Sequence, residues 1–188
     1  DLISPASDNP EGFWENKKFL DINEEILARF GGSWDVKPIL DVGWQKSDRI
    51  KDIKARARAL IDQFGGYENW GLKDPRNSLT LPFWQDVIPD LKVVVCLRNP
   101  LEVSRSFYKR GYSSDFFSFQ LWLSYYQSLF SSLPVGEYII THFDSYFINP
   151  NLELKRLLDY IGIRVDEKKI EETCHTISVK HKHNQFTL

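Results

Sequence analysis

The sequence predicts an α/β fold in which a parallel sheet is covered by helices on both faces. The β-branched run Val93–Val95 lies within a predicted strand, Leu91–Leu97, and has the composition of a strand buried on both faces. Two further strands are predicted at 70–73 and 138–141, and long helical patterns alternate with them. The 188 residues, 42% of them hydrophobic, are sufficient for a single domain spanning 1–188.

The predicted helices follow from apolar residues that recur at helical spacing. The segment 15–30 has one apolar face, and Gly31-Gly32 follows it as a helix end. Ser47 is suited to cap a second helix at 48–64, which is closed by another glycine pair. Further helices are predicted at 100–110, 115–132, 151–161 and 167–175.

Composition argues against several classes of protein. The chain has 24 Lys and Arg against 26 Asp and Glu, whereas proteins that bind nucleic acid or an anionic membrane usually carry a clear basic excess. No apolar run reaches the roughly 18 residues of a membrane span. Cys96 and Cys174 lie far apart, so the sequence predicts a reducing, cytoplasmic setting and a buried, non-ligating role for Cys96. No metal is expected, because His181 and His183 lack further ligands at a suitable spacing.

An anion site is indicated where the strand 91–97 ends. Arg98 follows the strand, and Ser106 lies eight residues later in the next predicted helix. Ligands of open α/β sheets bind at the carboxyl ends of strands, and a guanidinium group suits a phosphate. The alternative is an exposed arginine and a serine that faces water.

The segment CLRNPLEVSRSFY resembles the 3′-phosphate-binding segment of sulfotransferases that use 3′-phosphoadenosine 5′-phosphosulfate. The segments beginning at Asp8, Gly71 and Ile140 resemble other parts of bacterial members of the family, in the same order. The resemblance implies that Arg98 and Ser106 bind the 3′-phosphate and that Lys180 and Lys182 cover it. It also implies a three-layer fold like that of P-loop NTPases and a small-molecule, lipid or glycan acceptor.

The family's glycine-rich 5′-phosphosulfate loop does not match any segment. The two glycine pairs follow predicted helices, and the chain begins at Asp1 without a methionine. We therefore expect the first strand and the phosphate loop to lie in about 25 residues upstream, the length of a strand–loop–helix start. The chain alone is then expected to be catalytically inactive.

The resemblance also suggests catalytic residues. Lys73-Asp74-Pro75 stands where cytosolic members have Lys-x-His, so the histidine is absent and Lys73 is left to offset charge on the transferred group. Glu15, which matches the position of a glutamate in the glycosaminoglycan sulfotransferases, is the first candidate for the general base, and Asp74 is the second. The structural alternatives are a first-turn glutamate favoured by the helix dipole and an Asp-Pro turn.

Two other functions remain open at this point. A P-loop kinase would have no use for a 3′-phosphate site, and no Mg²⁺-binding pattern is present. A non-catalytic relative that binds a nucleotide or a partner protein would account for the missing loop and histidine.

Overall fold

The computed structural model describes residues 2–4, 12–111, 114–133 and 136–177. They form a mixed α/β structure with two parallel strands, and the contacts between them divide the described residues into two compact units. The first unit extends to Leu91 and includes Leu123–Ser132, and the second comprises Lys92–Trp122 and the described residues from Leu133 onward.

Helices α1 (Lys17–Arg29), α2 (Lys51–Asp62) and α3 (Asn77–Val87) belong to the first unit, together with 3-10 turns at Trp44–Lys46 and Asp48–Ile50. In the second unit, β1 (Val93–Leu97) and α4 (Pro100–Lys109) precede β2 (Tyr138–His142). Three helices follow β2: α6 (Ser145–Ile148), α7 (Pro150–Ile161) and α8 (Glu167–Thr176). Helix α5 (Asp115–Ser132) contributes residues to both units. None of the described helices is long and apolar enough to cross a bilayer.

The core of the first unit is built by the apolar faces of α1, α2 and α3. Ile26, Ile53 and Phe83 are fully buried, and Phe19 packs its ring 5.4 Å from that of Trp84. Each side chain of this size contributes about 1.5–3 kcal/mol when it is removed from water. The apolar faces predicted for the first two helices are therefore confirmed. Helix α3, which carries Pro82, was not among the predicted helices.

The predicted strand at 70–73 is wrong, since these residues adopt neither strand nor helix. Trp70 stacks its ring 5.2 Å from that of Phe64, and the amine of Lys73 contacts the carboxylate of Glu15. Side-chain packing and an ion pair, rather than a backbone ladder, therefore hold this segment.

The two strands pair in parallel, with Val93 opposite Tyr138 and Leu97 opposite His142. Successive strand residues face opposite sides of a sheet. In β1, Val93 and Val95 are buried, whereas Val94 is 42% exposed and Cys96 is also exposed. The prediction that this strand is buried on both faces, with Cys96 inside, is therefore wrong, because the described residues leave one side of β1 open to solvent.

Helix α7 is anchored to both strands by polar side chains. Glu153 accepts a hydrogen bond of 2.5 Å from Thr141 and is paired with Arg156 at 2.7 Å. The hydroxyl of Tyr160 accepts a hydrogen bond from the amide of Val93 (3.1 Å) and donates one to the carbonyl of Glu137 (2.9 Å). One tyrosine therefore contacts the starts of both strands.

We expect Glu153 to make stability depend on pH. Hydrogen bonds from Arg156 and Thr141 lower the pKa of Glu153 below its ordinary value near 4.5. Its stabilising contribution is therefore complete above pH 4.5 and is lost as the pH falls through the lower pKa of the folded state. The difference in unfolding free energy between the wild type and Glu153→Gln should narrow below about pH 4.5. Urea titrations at several pH values measure this difference. The control is Glu171→Gln, an exposed substitution on α8, whose unfolding free energy should change with pH as that of the wild type does.

Candidate active site

Two of the three candidate catalytic residues lie in direct contact in the first unit. The Lys73 amine is 2.6 Å from Oε1 of Glu15, although the two residues are 58 positions apart in sequence. The side chain of Glu15 is 9% exposed, whereas that of Lys73 is 59% exposed. The second oxygen of Glu15 accepts no hydrogen bond from a described residue. The pair therefore combines a carboxylate oxygen that can accept a proton with an ammonium group that remains open to an anionic ligand.

The loop that carries Glu15 is held from two directions. The amine of Lys73 also donates to the carbonyl of Phe13. The amide of Ile3 donates to the carbonyl of Glu15 at 2.9 Å, and Leu2 forms an antiparallel bridge with Asn16. Asn16 then caps α1 by accepting a hydrogen bond from the amide of Lys18. These contacts fix the backbone on both sides of the candidate base.

The surroundings of Asp74 indicate a structural role. Its side chain is 1% exposed and accepts hydrogen bonds from the amide nitrogen of Asn23 and from both the backbone and the guanidinium group of Arg76, at 2.9–3.0 Å. Burial opposes the charge of Arg76, but the carboxylates of Asp74 and Glu24 raise its pKa above the usual value. The carboxylate of Asp74 is thus occupied by three donors, which leaves Glu15 as the better placed of the two candidate bases.

Asn23 organises this buried network and was not singled out in the sequence. Its oxygen accepts hydrogen bonds from Thr80 and Trp84 at 2.7 and 2.9 Å, and its nitrogen donates to Asn77 at 2.8 Å as well as to Asp74. All four hydrogen-bonding positions of the amide are therefore used. A signal was present, because Asn23 lies four residues after Phe19 on the apolar face of α1.

Tyr125 is a second polar residue that the sequence analysis missed. Its hydroxyl donates to the carbonyl of Trp34 at 2.5 Å. Burial raises the pKa of this hydroxyl well above its ordinary value, with Arg76 acting in the opposite direction. The phenol therefore stays protonated at neutral pH and serves as a donor rather than as a base.

In the second unit, Arg98 follows β1 as predicted, and its side chain contacts Glu102 and Phe143. Its Nε lies 3.3 Å from a carboxylate oxygen of Glu102, and its guanidinium carbon lies 4.2 Å from the centre of the Phe143 ring. Ser106 is half-buried in α4, one turn after Glu102 and hence on the same helix face. The convergence of Arg98 and Ser106 on one anion stays a prediction. Lys180 and Lys182 lie outside the described residues.

The glycine pairs end helices, as the sequence predicted. Gly31 has a φ of +75°, and the amides of Gly31 and Gly32 donate to carbonyls in the last turn of α1. The amide of Gly65 donates to the carbonyl of Asp62 in the same way. These donors are already used, so neither pair forms a phosphate-binding loop.

Comparisons with known proteins were made at three levels: protein-family models, curated sequences and solved structures. None of them finds a match. Within the described part of the chain, no group of three or more His, Cys, Asp or Glu side chains is arranged to hold a metal ion.

Proposed function

We propose that this chain belongs to a sulfotransferase that moves a sulfuryl group from 3′-phosphoadenosine 5′-phosphosulfate to a hydroxyl or amine acceptor. The observation that carries the proposal is the 2.6 Å contact between Glu15 and Lys73. The sequence suggested these residues separately, one as a general base and the other as a cation that offsets charge on the transferred group. Their pairing across 58 residues supports a common role.

The nucleotide supplies the activated sulfuryl group. The hydroxyl oxygen or amine nitrogen of the acceptor forms a bond to sulfur, and Glu15 takes up the proton that this group releases. Lys73 offsets negative charge on the sulfuryl oxygens while the bond from sulfur to the 5′-phosphate breaks. Such transfers depend chiefly on positioning and electrostatic stabilisation, so a fixed base and an exposed cation are the parts that the protein must provide.

Arg98 and Ser106 would hold the 3′-phosphate. A half-buried guanidinium group at the carboxyl end of a parallel strand suits this role, and stacking on Phe143 limits its freedom. The carboxylate of Glu102 lies 3.3 Å from Arg98 and competes for its guanidinium group. A phosphate must therefore bind Arg98 more strongly than Glu102 does. We also assign the fold to the three-layer P-loop class, which the parallel β1–β2 pair supports.

Arg98→Ala tests the donor site. The affinity for 3′-phosphoadenosine 5′-phosphate should fall by about ten- to a hundredfold, because a hydrogen bond to a charged group contributes about 1.5–3 kcal/mol. The affinity for adenosine 5′-phosphate, which has no 3′-phosphate, should change much less. Isothermal titration calorimetry with both nucleotides measures the two affinities.

The matched control is Arg164→Ala, which removes an exposed positive charge from the same unit. It should leave both affinities at wild-type values, and the thermal midpoints of both variants show whether they are folded. Equal losses for the two nucleotides would assign Arg98 a structural role. No binding of either nucleotide by the wild-type protein would contradict the proposed function.

A further inference from the structure

Trp14 combines two properties that are unusual in a large apolar residue. Its side chain is 65% exposed, and its backbone has a φ of +61°. Bulky residues rarely adopt positive φ, because the side chain meets the backbone carbonyl. Trp14 also has no ring contact with another aromatic residue of the described chain. Core packing therefore does not explain its place or its conformation.

Both chain neighbours of Trp14 are held by one amine. Lys73 contacts the carbonyl of Phe13 and the carboxylate of Glu15, the residues immediately before and after the tryptophan. Ile3 holds the carbonyl of Glu15 in addition. A strained conformation persists where surrounding contacts fix it, and such residues concentrate at ligand sites. Here the same contacts hold the exposed residue that directly precedes the candidate base in the chain.

We propose that Trp14 binds the apolar face of a pyranose ring, so that the acceptor is a carbohydrate; this rests on the proposed function. A sugar ring has one face of C–H groups, which packs on an aromatic ring, and an edge of hydroxyl groups, which needs polar partners. Trp14 supplies the first surface. Glu15, the next residue in the chain, and Lys73, which contacts the residues before and after Trp14, supply the second.

The surroundings favour a sugar over an aliphatic chain. Asn16, Lys17 and Lys18 follow directly after Glu15, and both lysines are exposed. An alkyl chain gains most from a continuous apolar surface, whereas a single indole ring with charged neighbours matches a ligand that is apolar on one face and polar at its edge. The exposed lysines add attraction for acidic sugars.

Trp14→Gly is the test variant, since glycine adopts positive φ without strain and the thermal midpoint should stay at the wild-type value. Saturation-transfer NMR is recorded with cellobiose, with a tetrasaccharide of glucuronic acid and N-acetylglucosamine, and with n-octanol. We expect saturation of the sugar C–H protons by the wild-type protein and about five- to tenfold weaker sugar binding by the variant, as expected for loss of one aromatic contact. Tyr67→Ala removes an equally exposed aromatic ring, at 67%, and should bind sugars like the wild type.

The affinity for 3′-phosphoadenosine 5′-phosphate, measured in parallel, separates the two hypotheses. Nucleotide binding together with sugar binding that depends on Trp14 supports this inference. Nucleotide binding without any sugar signal, or with signals equal in Trp14→Gly, overturns the carbohydrate assignment and leaves the proposed function standing. An effect of Trp14→Gly on octanol alone also overturns it. If the wild type binds no nucleotide, the proposed function fails, and the assignment of an acceptor fails with it.

Discussion

Glu15→Gln is expected to lower the rate of sulfate transfer by about 10²–10⁴-fold, the usual contribution of a general base. Glutamine has nearly the same shape as glutamate and keeps an oxygen that can accept a hydrogen bond from Lys73, so the loop should stay in place. What it cannot do is take the proton of the acceptor. The affinity for 3′-phosphoadenosine 5′-phosphate should therefore be unchanged while kcat falls.

The measurement is transfer from labelled donor to a panel of hydroxylated acceptors, made in the full-length protein. Glu68→Gln removes an exposed carboxylate from the same unit and should retain the wild-type rate. A Glu15→Gln variant with a rate within a factor of about two of the wild type would exclude Glu15 as the base, given the size of the expected effect. A wild-type protein that binds the nucleotide but modifies no acceptor would favour the non-catalytic binding relative.

Asp74→Ala should lower the unfolding free energy by about 3 kcal/mol, because removing one partner of a buried ion pair leaves the other uncompensated. The guanidinium group of Arg76 would lose its buried partner, and the amide nitrogen of Asn23 would lose one of its two acceptors. Arg76 would keep its exposed contact with Glu24, which limits the loss. The effect is on folding rather than on chemistry, in contrast to that of Glu15→Gln.

Denaturant titration measures this loss. Asp62→Ala, at an exposed position near the end of α2, is the control and should change stability by less than about 0.5 kcal/mol. Asp74→Asn keeps one acceptor oxygen for Arg76 and should fall between the wild type and Asp74→Ala. A loss below about 1 kcal/mol for Asp74→Ala would show that the network contributes less than its burial indicates.

Elements whose residues have strong local preferences were predicted well. Helix α5 begins and ends where its periodicity predicted, and Ser114 caps it by accepting a hydrogen bond from the amide of Phe117. Asn99 and Pro100 start α4, and Gly162, with a φ of +81°, ends α7. In these places the local chemistry and the tertiary structure agree, which is the condition under which sequence patterns succeed.

The errors arose where tertiary packing outweighed local signals. Asp74-Pro75 and Pro82 are turn and breaker residues, yet Asn77–Val87 is helical because Phe83, Trp84 and Val87 are buried in the core. Trp70 has a high strand preference, but it packs its ring on Phe64 instead. No local signal records such a contact with another element.

The candidate residues came from the sequence, whereas their geometry came from the fold. Glu15 and Lys73 were each identified, but a contact across 58 residues depends on the fold. The reverse holds for Asp74, whose residue type suits a base while its three donors make it structural. The conformation of Trp14 could not be predicted at all, because its positive φ opposes the preference of the residue and follows from contacts on either side.

The position of Tyr160 has a consequence for how the chain is made. Its hydroxyl joins the amide of Val93 to the carbonyl of Glu137, so a slip of the strands by one residue would separate these groups by about 3.3 Å and leave both unpaired. Tyr160 is synthesised 67 residues after Val93. The alignment of the apolar segment VVVCL with β2 is therefore fixed only after the ribosome has synthesised both β2 and α7. Until then β2 cannot pair with this strand, and a strand edge left unpaired during synthesis is prone to aggregation.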